Sequence, residues 1–166
     1  TQHKVKRVAW AERYMKLDLS NVIFTDECRA TLDGPDGFAR GWILDGLDVP
    51  SHLRRQQGGG GVMFWAGLYG NTVVGPFRVP DGVKMNSSGY TTFLSTHFLP
   101  WYRSLSVCKR RTIVFMQDNA PSHASRHTKQ YLASHGFHNE KYMDWPAASP
   151  DLNPLENYWA VFKSRL

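Results

Sequence analysis

Three acidic residues stand where carboxylate chemistry could be built. Asp26 follows the apolar, β-branched run Asn21-Val-Ile-Phe-Thr25, and Asp118 follows a second such run, Thr112-Ile-Val-Phe-Met116, after Gln117. Short runs of this kind suit strands buried on both faces of a sheet. If the two are parallel neighbours, both carboxylates emerge at one edge, where open α/β sheets bind ligands. Two such charges close together repel, so one must take up a proton or a cation must sit between them. Oxygen donors with few nearby Cys or His favour a hard divalent ion, magnesium or manganese, over zinc. Glu156 falls in the first turn of an expected last helix, bordering the face of Trp159 and Phe162, and could complete such a site.

Each acid also has a plain structural use. Asp26 fits a strand-end or turn carboxylate, and Asp118 an Asx turn ahead of Ser122 as a helix cap. Asn153, Pro154 and Glu156 match the spacing of a capping box. On local pattern both uses stay open for every one of them; the case for a site is that two strand ends and a helix start supply three acids together.

The elements that must position them can be read from periodicity. A helix is expected over residues 4–17, ending near Asp18, and then the strand that stops at Asp26-Glu27. Residues 28–33 read as a returning second strand before the turn-rich Asp33-Gly-Pro-Asp-Gly37, so that a hairpin results. Residues 42–61 have little periodicity and read as a long excursion, for which Gly58–Gly61 would be a hinge. Val62–Leu68 and Thr72–Val79 read as further strands, 88–103 as a helix broken late by Pro100, and 112–116 as the strand leading to Asp118. A helix capped by Ser122 should run to about Ser134 with Gly136 terminating it, and 138–144 should form a short strand. Three prolines, 146, 150 and 154, then punctuate a link to the last helix, whose stripe is Leu155, Trp159, Phe162 and Leu166.

At 166 residues, 42% hydrophobic and 20% charged, the chain suits one domain with a packed core. Its net charge of +6 suits a polyanionic partner. Cys28 and Cys108, far apart, make neither a disulfide framework nor a zinc cluster and fit a reducing, intracellular setting. No apolar run nears the roughly 20 residues needed to cross a bilayer, so a membrane partner is not expected. Thr1 and the basic helical pattern that begins at once point to a longer natural chain.

Four blocks, Phe24-Thr-Asp-Glu27, Gly58-Gly-Gly-Gly-Val-Met-Phe-Trp65, Gln117-Asp-Asn-Ala-Pro-Ser-His123 and Trp145-Pro-Ala-Ala-Ser-Pro-Asp-Leu-Asn-Pro-Leu-Glu-Asn-Tyr-Trp159, resemble the mariner superfamily of DDE transposases, in order over nearly the whole chain. The resemblance implies an RNase H-like α/β fold, a mixed five-stranded sheet flanked by helices, and puts the family's acidic triad on Asp26, Asp118 and Glu156. It implies two Mg2+ or Mn2+ ions, Asp26 bridging both and the other acids each holding one. The chemistry implied is cleavage of DNA at element ends and transfer of the freed 3′-hydroxyl into target DNA at TA sites, in the nucleus. The partners implied are element-end and target DNA and, for a full-length protein, a second copy. Residues 42–61 resemble a clamp loop that reaches that partner copy, and N-terminal helix-turn-helix DNA-binding domains are not in this chain. The 37 residues between Asp118 and Glu156 are a few more than the commonest members carry, with the extra length expected around His135–Tyr142.

Arg54, Arg55, Asn119 and His123 are candidate DNA contacts. For His123 packing at a helix start is the alternative, and the one favoured; for the arginines it is simple solvation. Lys109-Arg110-Arg111 could be a nuclear-localisation or phosphate patch, or a solvated turn. The four glycines are not a phosphate-binding P-loop, since no Gly-Lys-Ser/Thr follows. Two other functions stay in view: a ribonuclease H, against which the absence of any acid from Gly82 to Gln117 counts, and a domesticated remnant that binds DNA without catalysis.

Overall fold

Four strands, β1 (Val22–Thr31), β2 (Gly61–Tyr69), β3 (Thr72–Arg78) and β4 (Val114–Met116), form one sheet in the order β3-β2-β1-β4. The chain's structure is a computed structural model, and it describes residues 2–31 and 60–165. β1 runs antiparallel to β2, from Ile23 opposite Tyr69 to Thr31 opposite Gly61, and parallel to β4 from Val22 opposite Val114 to Phe24 opposite Met116. The sheet is therefore mixed.

Two strand expectations need correction. Asp26-Glu27 does not end a strand, and residues 28–31 do not turn back as a second one: β1 continues through the acids to Thr31. It can do so because β2 offers partners along the whole way, Ala66 opposite Asp26 and Trp65 opposite Glu27. What ends at that level is the parallel neighbour β4. The other correction concerns the fifth strand. Among the described residues, 138–144 contributes a single parallel bridge, Tyr142 with Phe115, and one bond from the Met143 amide to the Phe115 carbonyl at 2.9 Å. Asn139, at φ 52°, begins a 3-10 turn over Asn139–Lys141 that uses up the approach to a longer pairing.

Helices cover both faces. α1 (Gln2–Tyr14) stops before Asp18, which instead caps a 3-10 turn by accepting from the Ser20 amide at 3.0 Å. The helix expected over 88–103 is α2 (Ser87–Phe93), one wide π-type turn (Leu94–Phe98) and α3 (Leu99–Ser104). Pro100 has no amide to give, and widening the turn ahead of it, where the Leu99 amide reaches Leu94, lets the chain stay helical through it. Lys109-Arg110-Arg111 lies in the last turn of α4 (Val107–Thr112), not in an open turn. α5 (Pro121–Ala124) and α6 (Arg126–Ser134) replace the single helix expected from Ser122. The break comes at Ser125, whose side chain accepts from the Thr128 amide and caps α6. Gly136, at φ 89°, closes that segment as expected.

Alternation along the strands sends side chains to two cores. Ile23, Trp65 and Phe115 face α2, the π-type turn and α6 through Tyr90, Phe98 and Leu132. Val22, Phe24, Val114 and Met116 face the last helix, α7 (Leu155–Lys163), through Leu155 and Trp159, with Trp10 and Tyr14 of α1 packed alongside. Among the described residues no helix is long and apolar enough to cross a membrane. The segment 42–61, apart from Gly60 and Gly61, lies outside the described residues, and Arg54 and Arg55 with it.

Candidate active site

The β1–β4 register brings the aspartates together. Phe24 stands opposite Met116, and Asp26 and Asp118 each follow two residues later. Side chains alternate, so both acids belong to the face of Phe24 and Met116, which is the face α7 covers. Glu156 follows Leu155, the fully buried residue that anchors the start of α7. All three acids line one cavity of about 370 Å³, walled by Asn119, Asn153 and the segment Trp145–Pro150. Within that wall Ala148 holds a left-handed φ of 53°.

Local donors set the carboxylates one by one. Asp26 Oδ2 accepts from the indole Nε1 of Trp159 at 3.0 Å. Burial first, then the charges of Glu27 and Glu156, push its pKa up to about 7, which bonds from the Glu27 amide and Trp159 only partly offset. Asp118 Oδ1 accepts from the Ala120 amide at 3.0 Å, the Asx turn that its sequence allowed, and from His123 Nδ1 at 2.5 Å. The bond from His123 comes first among the causes that hold Asp118 below the usual carboxylate range. Pro154, expected inside the helix, is the capping position of α7, and Asn153 just ahead of it accepts from the Leu155 amide at 3.1 Å. Glu156 does not close a capping box among the described residues; its backbone amide bonds the Asn153 carbonyl at 3.1 Å while the exposed side chain borders the cavity.

The carboxylates share a cavity without closing into a ready cage. Among the described residues, no three His, Cys, Asp or Glu side chains gather tightly enough to hold an ion as they stand. Like charges repel, and Trp159 and His123 draw Asp26 and Asp118 onto separate donors.

Of the candidate DNA contacts, Asn119 lines the cavity and donates from Nδ2 to the Trp145 carbonyl at 2.7 Å. His123 has only 6% of its side chain exposed. It lies behind Asp118 in the packing position, its ring 4.1 Å from that of Tyr90. Burial alone would lower its pKa, but Asp118 and Glu27 outweigh that and push it up to about 9. Sequence reasoning missed two partners. Glu27, taken as the companion of Asp26 at a strand end, points to the opposite face of a strand that runs on, and its Oε1 lies 3.4 Å from His123 Nε2. Trp159, read only as part of an apolar stripe, also carries the donor to Asp26. Had β1 been taken through the acids, alternation would have found Glu27.

The family model of the DDE superfamily endonuclease matches residues 21–166. The Tc3 transposase of Caenorhabditis elegans is 36% identical over 96% of this chain, and the Tcb2 transposase of Caenorhabditis briggsae 35% over 95%. The chain spans about half the length of these relatives, 46% and 57% respectively. Among solved structures, a pre-cleavage Mos1 transpososome superposes with a TM-score of 0.75 at 19% identity, covering 98% of this chain and 47% of that one. The catalytic domain of Mos1 mariner transposase superposes at 0.66 and 17%, covering 99% and 71%. The likeness to these structures is one of fold: helices on a mixed sheet, as in the Mos1 catalytic domain. Matched by the family model over most of its length, the chain belongs to the DDE superfamily of endonucleases, and the mariner-type resemblance read from its sequence holds.

Proposed function

We propose that this chain is the catalytic core of a cut-and-paste DNA transposase, a polynucleotidyl transferase that cuts DNA at element ends and joins the freed 3′-hydroxyl to target DNA. The observation that carries the reading is the placement of Asp26, Asp118 and Glu156, from β1, the turn after β4 and the first turn of α7, around one cavity. Mg2+ or Mn2+, two ions, is the cofactor proposed, with these three acids as ligands. The fit is chemical: the donors are all carboxylate oxygens, and Asp26, pushed to about 7, has an anion that its surroundings do not neutralise. Mos1 structures with Mg and with Mn support that choice of ion. When bound, such ions stabilise the charge that builds on the attacking and leaving oxygens of an in-line displacement at phosphorus.

The chain's own residues do the rest. Trp159 orients Asp26, Ala120 and His123 orient Asp118, and Leu155 seats the helix end that carries Glu156. Asn119 and the Trp145–Pro150 wall border the space that the DNA backbone would enter. DNA as the partner is supported by the net charge of +6 and by relatives that are transposases. Pairing with a second copy, TA targets and a nuclear setting belong to the same proposal. In the test, a longer protein containing this chain is given element-end DNA with Mg2+ or Mn2+, beside its Asp118→Asn variant. Cleavage by the first and loss of at least about 100-fold in the second is expected, the scale on which removing a key transition-state stabiliser acts. Equal cleavage by both overturns the reading.

A further inference from the structure

We infer that His123 is a positioning residue, which commits Oδ1 of Asp118 to a protein donor and leaves Oδ2 as the oxygen for a metal ion. The inference rests on the metal-site reading above. Asp118 follows a strand of three residues, and half of its side chain (51%) is exposed, so nothing in its packing alone fixes a rotamer. Two donors fix it instead, the Ala120 amide and His123 Nδ1, and both act on the same oxygen.

The imidazole is held from several directions. Its face lies against Tyr90. Its backbone carbonyl accepts from Gln117 Nε2 at 3.1 Å, and Gln117 is fixed in turn by accepting from the Tyr90 hydroxyl at 2.9 Å. Its own amide bonds the Ala120 carbonyl at 2.9 Å. The corner that follows is tied by Ser125 and Thr128, both donating to the Ser122 carbonyl, at 3.0 and 2.7 Å. The far edge of the ring faces Glu27 on β1. Adjacent residues of β1 thus serve one site from opposite faces, Asp26 lining the cavity and Glu27 standing behind the ring that sets Asp118. An apolar side chain would fill the space beside Tyr90 equally well. It would give Oδ1 nothing.

That difference supplies the test. His123→Asn keeps a donor near the Nδ1 position but leaves a void, whereas His123→Leu fills the volume and donates nothing. Mn2+ is titrated calorimetrically into the 166-residue chain and both variants, with thermal melts alongside. Positioning predicts that the leucine variant binds Mn2+ about 10–100-fold more weakly, the range for partners that orient metal ligands, while the asparagine variant stays within about threefold. A packing role predicts affinity that follows melting temperature instead, and that result overturns the inference, as does unchanged affinity in both. Should the leucine variant not fold, Glu27→Gln replaces it: weaker Mn2+ binding with an unchanged melting temperature supports the inference, and unchanged binding overturns it. Asp118→Asn binding Mn2+ as tightly as the parent would overturn the metal-site reading itself.

Discussion

Asp26 is a carboxylate kept at a cost. Its folded pKa of about 7 lies above the roughly 3.9 of an unfolded chain. A group raised on folding contributes stability that is fully present below the unfolded pKa and is lost as pH rises through the folded one. Metal-free Asp26→Asn should therefore be more stable than the parent at pH 8, by on the order of 1–3 kcal/mol in urea unfolding after allowance for the open cavity. The gap should widen from about pH 4 to 7 and level off above; a gap independent of pH would contradict the assignment. His123 has the same sign in a later window, its contribution lost as pH rises from its ordinary 6.5 through about 9. Trp159→Phe keeps the ring in the core and deletes one donor to Asp26. A hydrogen bond worth ~1 kcal/mol corresponds to about half a unit to one unit of further rise in the Asp26 pKa. Protons compete with metal for a carboxylate, so the midpoint of Mn2+ binding against pH should move up by that amount. Residue types and order made the three acids legible in the sequence. The donors that orient them were not, because Trp159 and His123 reach Asp26 and Asp118 through tertiary packing that no local pattern encodes.

At the scale of elements, the strands were legible where apolar runs were unbroken and misread where polarity interrupted them. Asp26-Glu27 looks like an ending because charged pairs seldom lie inside a buried strand. It is not one, because β2 keeps pairing and each acid leaves on its own face. Local pattern also chose the wrong serine for the helix cap. Ser122 and Ser125 both suit the role, but Pro121 at the first position lets α5 begin earlier, so the second serine is the one left to start α6. Ser125→Ala should cost about 1–2 kcal/mol in urea unfolding, since it removes an N-cap and a tie to the Ser122 carbonyl. A loss below about 0.3 kcal/mol would show that the corner is held by Thr128 alone.

Across the whole molecule, the site depends on how far α7 and β4 are held against β1. Leu155 is fully buried at the start of α7. Leu155→Ala should cost about 2–5 kcal/mol and, by loosening the seat of Glu156, should weaken Mn2+ binding in molecules that remain folded. The opposite expectation holds for Arg7, whose paired bonds to Asp151, at 2.7 and 2.6 Å, tie α1 at the surface to the turn that follows the cavity wall. Arg7→Ala should leave the melting temperature nearly unchanged, with any difference shrinking further at high salt. The order of helices and strands was largely readable, but the pairing of β1 with β4 was only a condition in the sequence, and it is their register that brings Asp26 and Asp118 to the same cavity.

Thr31 and Gly61 sit directly opposite each other where β1 ends and β2 begins. The chain therefore departs from the sheet and rejoins it at neighbouring points. Closing those ends with a two-residue Asn-Gly turn asks only for a hairpin of ordinary kind, and changes in loop length carry a small entropic cost, about 0.6 kcal/mol per doubling. The shortened chain should keep its sheet, its melting temperature and its Mn2+ affinity.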